Sequence, residues 1–171
     1  MLLKYFSIRP ELKCLSLKNP IHFLSLGFGS GLAPIAPGTF GSLAAIPVYL
    51  LLMFAGMPIY IAATVLFAIL GFWFCGYTAQ ALKTHDHPAI VWDEVVGMLI
   101  TLFYFPLSYS TVIIGFLYFR VFDIIKPWPI KWLDQKVHGG IGIMLDDMLA
   151  GVFAWCALYL THQYIYDLSS W

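Results

Sequence analysis

Charge is scarce in this chain. Asp, Glu, Lys and Arg make up 11% of its 171 residues against 61% hydrophobic, with a mean hydropathy of +0.83. A soluble domain is about half apolar and about a quarter charged, so there are too few polar groups here to cover a water-facing surface. The apolar side chains are expected to face a lipid bilayer, and no nucleic-acid partner is expected. Cysteine is equally sparse. Cys14, Cys75 and Cys156 form no CxxC pair and lie too far apart for a metal knuckle or a disulfide framework, so they are read as packing residues. Low-complexity stretches, repeats and long linkers are missing too. The first 20 residues lack the unbroken apolar stretch of a cleavable signal peptide. They are expected to remain as a basic cytoplasmic arm (1–20), followed by one helical membrane domain (21–165) and a short tail (166–171).

What the chain does contain is a series of apolar runs bounded by glycine, proline and charge. Five of them, at about residues 43–55, 58–80, 94–105, 110–125 and 144–164, read as membrane-embedded helices. The second is the strongest, because at about 1.5 Å per residue it covers a core of roughly 30 Å. The segments outside the runs alternate in basic content. Four Lys or Arg precede the first run, none separate the first two, one lies between 83 and 92, none at 106–110, three between 126 and 144, and none after Thr161. Cytoplasmic loops retain Lys and Arg, so the expected fold is all-α and polytopic, with the N-terminus cytoplasmic. Six of the nine carboxylates then fall in one cytoplasmic layer: Asp86, Asp93, Glu94, Asp123, Asp146 and Asp147, with Glu11, Asp134 and Asp167 elsewhere. Ionisable groups on membrane helices are costly and usually functional.

Four segments carry the candidate chemistry. HDHPAIVWDE holds His85, Asp86 and His87 in a polar loop, then Asp93 and Glu94 at a helix start, where the dipole favours anions. Capping explains one acid better than two. The pair points about 100° apart round a helix and is expected to reach one cation from different angles or through water. His85 and His87, close to Asp86, are the better-placed histidines for a proton transfer or a metal; His22, His138 and His162 read as interfacial or loop residues. In FRVFDIIKPWP, Arg120, Asp123 and Lys126 recur at i, i+3 as one polar stripe, either an internal salt-bridge ladder or a seat for a phosphate and its metal. HGGIGIMLDDMLAG places Asp146 and Asp147 together at the start of the last run, where adjacent carboxylates need cations or donors and hard oxygen ligands suit Mg²⁺. Beyond them Ala150, Gly151 and Ala154 allow a second helix to approach closely. GFGSGLAPIAPGTFGS is not a GxxxxGK[ST] loop, and its Pro34 and Pro37 lack amide donors. It is expected to turn the chain and present Thr39, Ser42 and free helix N-terminal amides to an anion.

In this order, residues 27–47, 85–98, 119–130 and 137–151 resemble the phosphatidylglycerophosphatase A family of bacterial membrane phosphatases. The resemblance implies Mg²⁺-dependent hydrolysis of the terminal phosphomonoester of phosphatidylglycerophosphate to phosphatidylglycerol, at the cytoplasmic face of the inner membrane. No cysteine is followed by arginine six residues on, and no DxDx[TV], KxxxxxxRP or PSGH segment occurs, which leaves a carboxylate–metal site. Asp93, Glu94, Asp123, Asp146 and Asp147 form the expected pool of metal ligands and catalytic carboxylates. Arg120, Lys126, Thr39, Ser42 and His85 are the expected phosphate contacts. Attack by water and an aspartyl-phosphate route both stay open. A transporter of ions or anionic solutes is the competing class. It fits less well, because the polar residues gather at one face rather than near the midplane.

Overall fold

A computed structural model describes residues 10–84 and 87–169, and every regular element among them is helical. The α-helices are α1 (Pro20–Ser25), α2 (Pro37–Ala55), α3 (Met57–Leu82), α4 (Trp92–Thr101), α5 (Tyr109–Ile125), α6 (Ile130–Lys136) and α7 (Gly139–Ser169), with 3₁₀ turns at Pro10–Cys14 and Gly27–Leu32.

Each of the five apolar runs becomes a helix, and local chemistry sets the ends. Pro37 opens α2, where its missing amide is no loss. Gly56, at φ 96°, breaks the chain between α2 and α3 in a conformation that other residues resist. The Ser108 side chain caps α5 by accepting the amide of Thr111 at 3.1 Å. Lys126, left-handed at φ 46°, closes that helix just before Pro127.

By length and composition, three helices are able to cross a membrane: α2, α3 and α7 over Gly139–Tyr164. α5 has 17 residues and α4 only 10. The short α4 differs in kind from the rest. All its residues except Ile100 are buried, so it is sheathed by the other helices, and it ends at Thr101 rather than running on to Phe105. Outside this sheath, Leu51, Phe54, Ile69, Ile113, Ile124 and Leu160 are all exposed, an arrangement stable against lipid and not against water.

Two apolar clusters fill the interior. One surrounds Trp92, Phe74 and Met144; the other surrounds Tyr49, Tyr60, Leu99, Phe119 and Leu158. Between α4 and α7 the backbones themselves touch. A Cβ at Gly151 would lie 2.5 Å from the Gly97 carbonyl oxygen, and one at Gly97 would lie 2.8 Å from that of Asp147. Lipid gives no hydrophobic drive for helices to associate, so small residues that permit this approach carry much of the packing.

One expectation changes here. Of the three cysteines, only Cys75 packs inside, with Sγ 3.8 Å from Met144 Sδ; Cys14 and Cys156 are exposed. Cys156 lies on the outward side of α7, where an apolar thiol needs no protein neighbour. The described part of the basic arm is docked on the bundle: Leu12 and Leu15 are buried in the cluster with Leu82, and Cys14 Sγ donates to Ala81 O at 3.5 Å.

Because backbone cannot yield as a side chain does, Gly151→Leu should destabilise the bundle by about 1–3 kcal/mol or more. Thermal unfolding in detergent, followed by size-exclusion recovery, should show this loss. Leu51→Ala, at a position 70% exposed, should leave the midpoint close to that of the parent.

Candidate functional site

The starts of α2, α4 and α7 and the close of α5 converge at one end of the bundle. The turn leading into α4 is anchored from behind. Val91 N donates to Ser25 O at 2.9 Å, while Ser25 Oγ donates to Phe74 O and accepts from Thr78 Oγ1, both at 2.8 Å. Thr78 Oγ1 in turn meets His22 Nδ1 at 3.2 Å. His22 is therefore a buried contact between α1 and α3, not an interfacial residue. His87 shapes the same turn, its Nδ1 accepting the Ala89 amide at 3.1 Å.

Asp93 and Glu94 occupy the first turn of α4, and Asp147 faces them from α7. All three are buried, and one carboxylate oxygen from each lies within 4.8 Å of the others. Neighbouring residues on a helix diverge by about 100°, yet both reach this one volume. The reason is the glycine crossing: Gly97 lies four residues beyond Asp93 and three beyond Glu94, Gly151 lies four beyond Asp147, and their contact draws the first turn of α4 against α7 two turns inside its start at Gly139.

Asp146 takes a different direction. Its Oδ2 lies 2.5 Å from Lys126 Nζ, and the same ammonium lies 2.7 Å from Asp134 Oδ1. Burial alone would lower the Lys126 pKa; the carboxylates of Asp146 and Asp134 outweigh it and raise the ammonium above its usual value. Arg120 Nη1 lies 2.7 Å from Asp123 Oδ2 and donates to Ser42 Oγ at 3.3 Å, and Ser42 Oγ donates to Gly38 O at 2.9 Å. A methyl group on Gly38 would collide with Glu94 Oε1 and sit 3.1 Å from Arg120 Nη1. Glycine there lets the start of α2 lie against both side chains.

The polar stripe expected on α5 is thus divided. Arg120 and Asp123 pair as their i, i+3 spacing suggests, but Lys126 leaves the helical path at its left-handed φ and joins α6 and α7 instead. Asp134, placed outside the acidic layer by sequence, is brought into it. No spacing rule links it to Lys126, since two prolines and a change of direction intervene. The Thr39 amide donates to Ala36 O at 3.0 Å rather than standing open to an anion. His85 and Asp86 lie outside the described residues.

Two buried atoms show what the site suits. Glu94 Oε2 and Arg120 Nε have no hydrogen-bond partner among the described residues. An acceptor on an acid and a donor on a base, both unmet away from water, are costly. A hard cation satisfies the first and an anion such as phosphate the second.

Residues 23–162 match the family described as Phosphatidylglycerophosphatase A. A phosphatidylglycerophosphatase A of Escherichia coli (strain K12) is 49% identical over 146 residues, 85% of each chain. One of Haemophilus influenzae is 48% identical over 145 residues, 84% of this chain and 89% of that one. A Bacteroides thetaiotaomicron relative, provisionally named a phosphatidylinositol-3-phosphatase, is 40% identical over 139 residues, 77% of this chain and 86% of its own. No solved structure matches the chain.

Lys126→Met would leave Asp146 buried without its cation and should lower stability by about 1–3 kcal/mol in detergent unfolding. Adding Asp146→Leu should restore part of that loss, because removing both charges avoids the unpaired one.

Proposed function

The chain belongs to the phosphatidylglycerophosphatase A family of phosphatases, and from that premise we propose that it hydrolyses phosphatidylglycerophosphate to phosphatidylglycerol and phosphate, with Mg²⁺ as cofactor. The observation that carries this is the grouping of Asp93, Glu94 and Asp147 within 4.8 Å beside the Arg120–Ser42 contact. Cation ligands and phosphate donors stand next to each other at the end of an apolar bundle, where the phosphate of a membrane lipid is found.

Asp93, Glu94 and Asp147 would hold the metal, with Asp123 and Asp146 flanking them. When bound, Mg²⁺ supplies positive charge to the transferring phosphoryl group and to its nucleophile. Arg120 offers guanidinium donors to the phosphoryl oxygens, with Asp123 fixing its plane and the Ser42 hydroxyl, which donates to Gly38 O, accepting from Nη1 and steadying it. Lys126 adds charge at the edge of the site while holding Asp146 in place. Hydrolysis exchanges the bond from phosphorus to the glycerol oxygen for one to a water oxygen, and the leaving oxygen gains a proton. A buried carboxylate of the group serves as the proton carrier. The site is assigned to the cytoplasmic face of the inner membrane, with the N-terminus inside, on the alternation of Lys and Arg between apolar segments.

Purified protein should release phosphate from phosphatidylglycerophosphate with Mg²⁺ and stop when the metal is chelated. Phosphatidic acid and phosphatidylinositol 3-phosphate should be poorer substrates; preference for the latter would move the assignment to the activity named for the Bacteroides relative. No release from any of the three by folded protein would count against the phosphatase reading and for the transporter one.

Asp147→Asn and Glu94→Gln should each lower turnover by about 100-fold or more. Both should also weaken the rise in unfolding temperature that Mg²⁺ gives the parent protein. Asp123→Asn, which acts through Arg120, should cost about 10- to 100-fold.

A further inference from the structure

Ser42 on α2 and Arg120 on α5 meet at the site end of the bundle. Following each helix away from that contact leads along a single face. On α2 the face continues through Ile46 and Leu50, one and two turns beyond Ser42; on α5 it continues through Phe116 and Ile113, one and two turns before Arg120. There the two helices are separated by a cavity of about 610 Å³, lined by Ile46, Leu50, Val112 and Ile113. Leu107, Ser108 and Tyr109, at the start of α5, border its far end. Its reach from the Ser42–Arg120 contact is about 10–12 Å, at about 1.5 Å per residue. An acyl chain occupies one leaflet, about 15 Å or half of a roughly 30 Å core. The groove therefore starts one turn from the Arg120 donors, is apolar in its lining, and lies within the depth of one leaflet, where an acyl chain of the same lipid runs.

We propose that this groove holds one acyl chain of the lipid whose phosphate lies at Arg120, an inference that rests on the lipid phosphatase function proposed above. The chain gains little affinity by leaving bulk lipid for an apolar groove, since both surroundings are equally apolar. What it gains is orientation: a chain seated between α2 and α5 aligns the headgroup with the Arg120 donors, and the border at Leu107 and Tyr109 limits its length. A second apolar groove, about 380 Å³ and lined by residues of α3, α4 and α7 including Val65, Ile100 and Trp155, does not lie below the Ser42–Arg120 contact. It is the internal comparison.

The experiment measures kcat/KM in mixed micelles for dipalmitoyl and dihexanoyl phosphatidylglycerophosphate. A tryptophan in the groove blocks a long chain but leaves room for a short one. Ile113→Trp and, as a second variant, Leu50→Trp should lower the long-to-short ratio of kcat/KM at least tenfold, while Val65→Trp should leave it within twofold of the parent. An unchanged ratio in the folded α2/α5 variants, or a change confined to Val65→Trp, overturns the assignment. A binding arm keeps this separate from the proposed reaction. Phosphatidylglycerophosphate with a photoreactive acyl terminus should label the segments around Leu50 and Val112 in the parent protein. Labelling spread evenly over lipid-facing helices would show bulk lipid only and reject the groove. If the parent labels there but releases no phosphate, the reaction fails and the groove stands.

Discussion

Backbone contact between α4 and α7 at Gly97 and Gly151 is the constraint on which the site depends. Each glycine lies one helical turn beyond the acids it serves, Asp93 and Glu94 on one helix and Asp147 on the other. Any side chain at the crossing would push the start of α4 away from α7 and open the carboxylate group. Gly38 makes the same kind of accommodation on α2, allowing that helix to lie against Glu94 and Arg120. Close approach of backbones, rather than complementary side chains, brings the charged groups within reach of one another.

The remaining packing follows from placing such a group at the edge of a lipid-facing bundle. α4 carries two buried acids and is too short to span, so it is enclosed by helices whose outer faces are apolar. Trp92, the residue before Asp93, closes the apolar side of the helix start: its ring contacts Phe28, Phe67 and Phe74, and its Nε1 donates to Phe67 O at 3.0 Å. With Val91 tied to Ser25, the acids are presented by a rigid turn, which is what positioning of a reactive phosphate requires.

Charge is then distributed by pairing. Arg120 and Lys126 each engage carboxylates, Arg120 with Asp123 and Lys126 with both Asp134 and Asp146. Asp93, Glu94 and Asp147 lie grouped within reach of one another. Like charges crowded away from water repel strongly; Arg120 beside Glu94 offsets part of that repulsion, and the proposed metal ion would offset more. The two basic residues sit on its border, where a phosphate would enter.

The sequence by itself determined the helices, because apolar runs ended by Gly, Pro and capping Ser are local signals, and it determined that the acids and bases gather at one end. It also marked Arg120 with Asp123, a pair made by i, i+3 spacing. Only the tertiary structure decided which carboxylates share a volume. Asp146 and Asp147 are equivalent in sequence, yet the rotation of α7 turns one to Lys126 and the other to α4. Lys126 left its expected stripe because a left-handed residue before Pro127 ended the helical path, and Asp134 arrived from a helix that local rules could not orient. Periodicity fixes neighbours within one helix; the rotation and crossing of separate helices are set by contacts such as Gly97 with Gly151, distant in the chain and invisible to spacing.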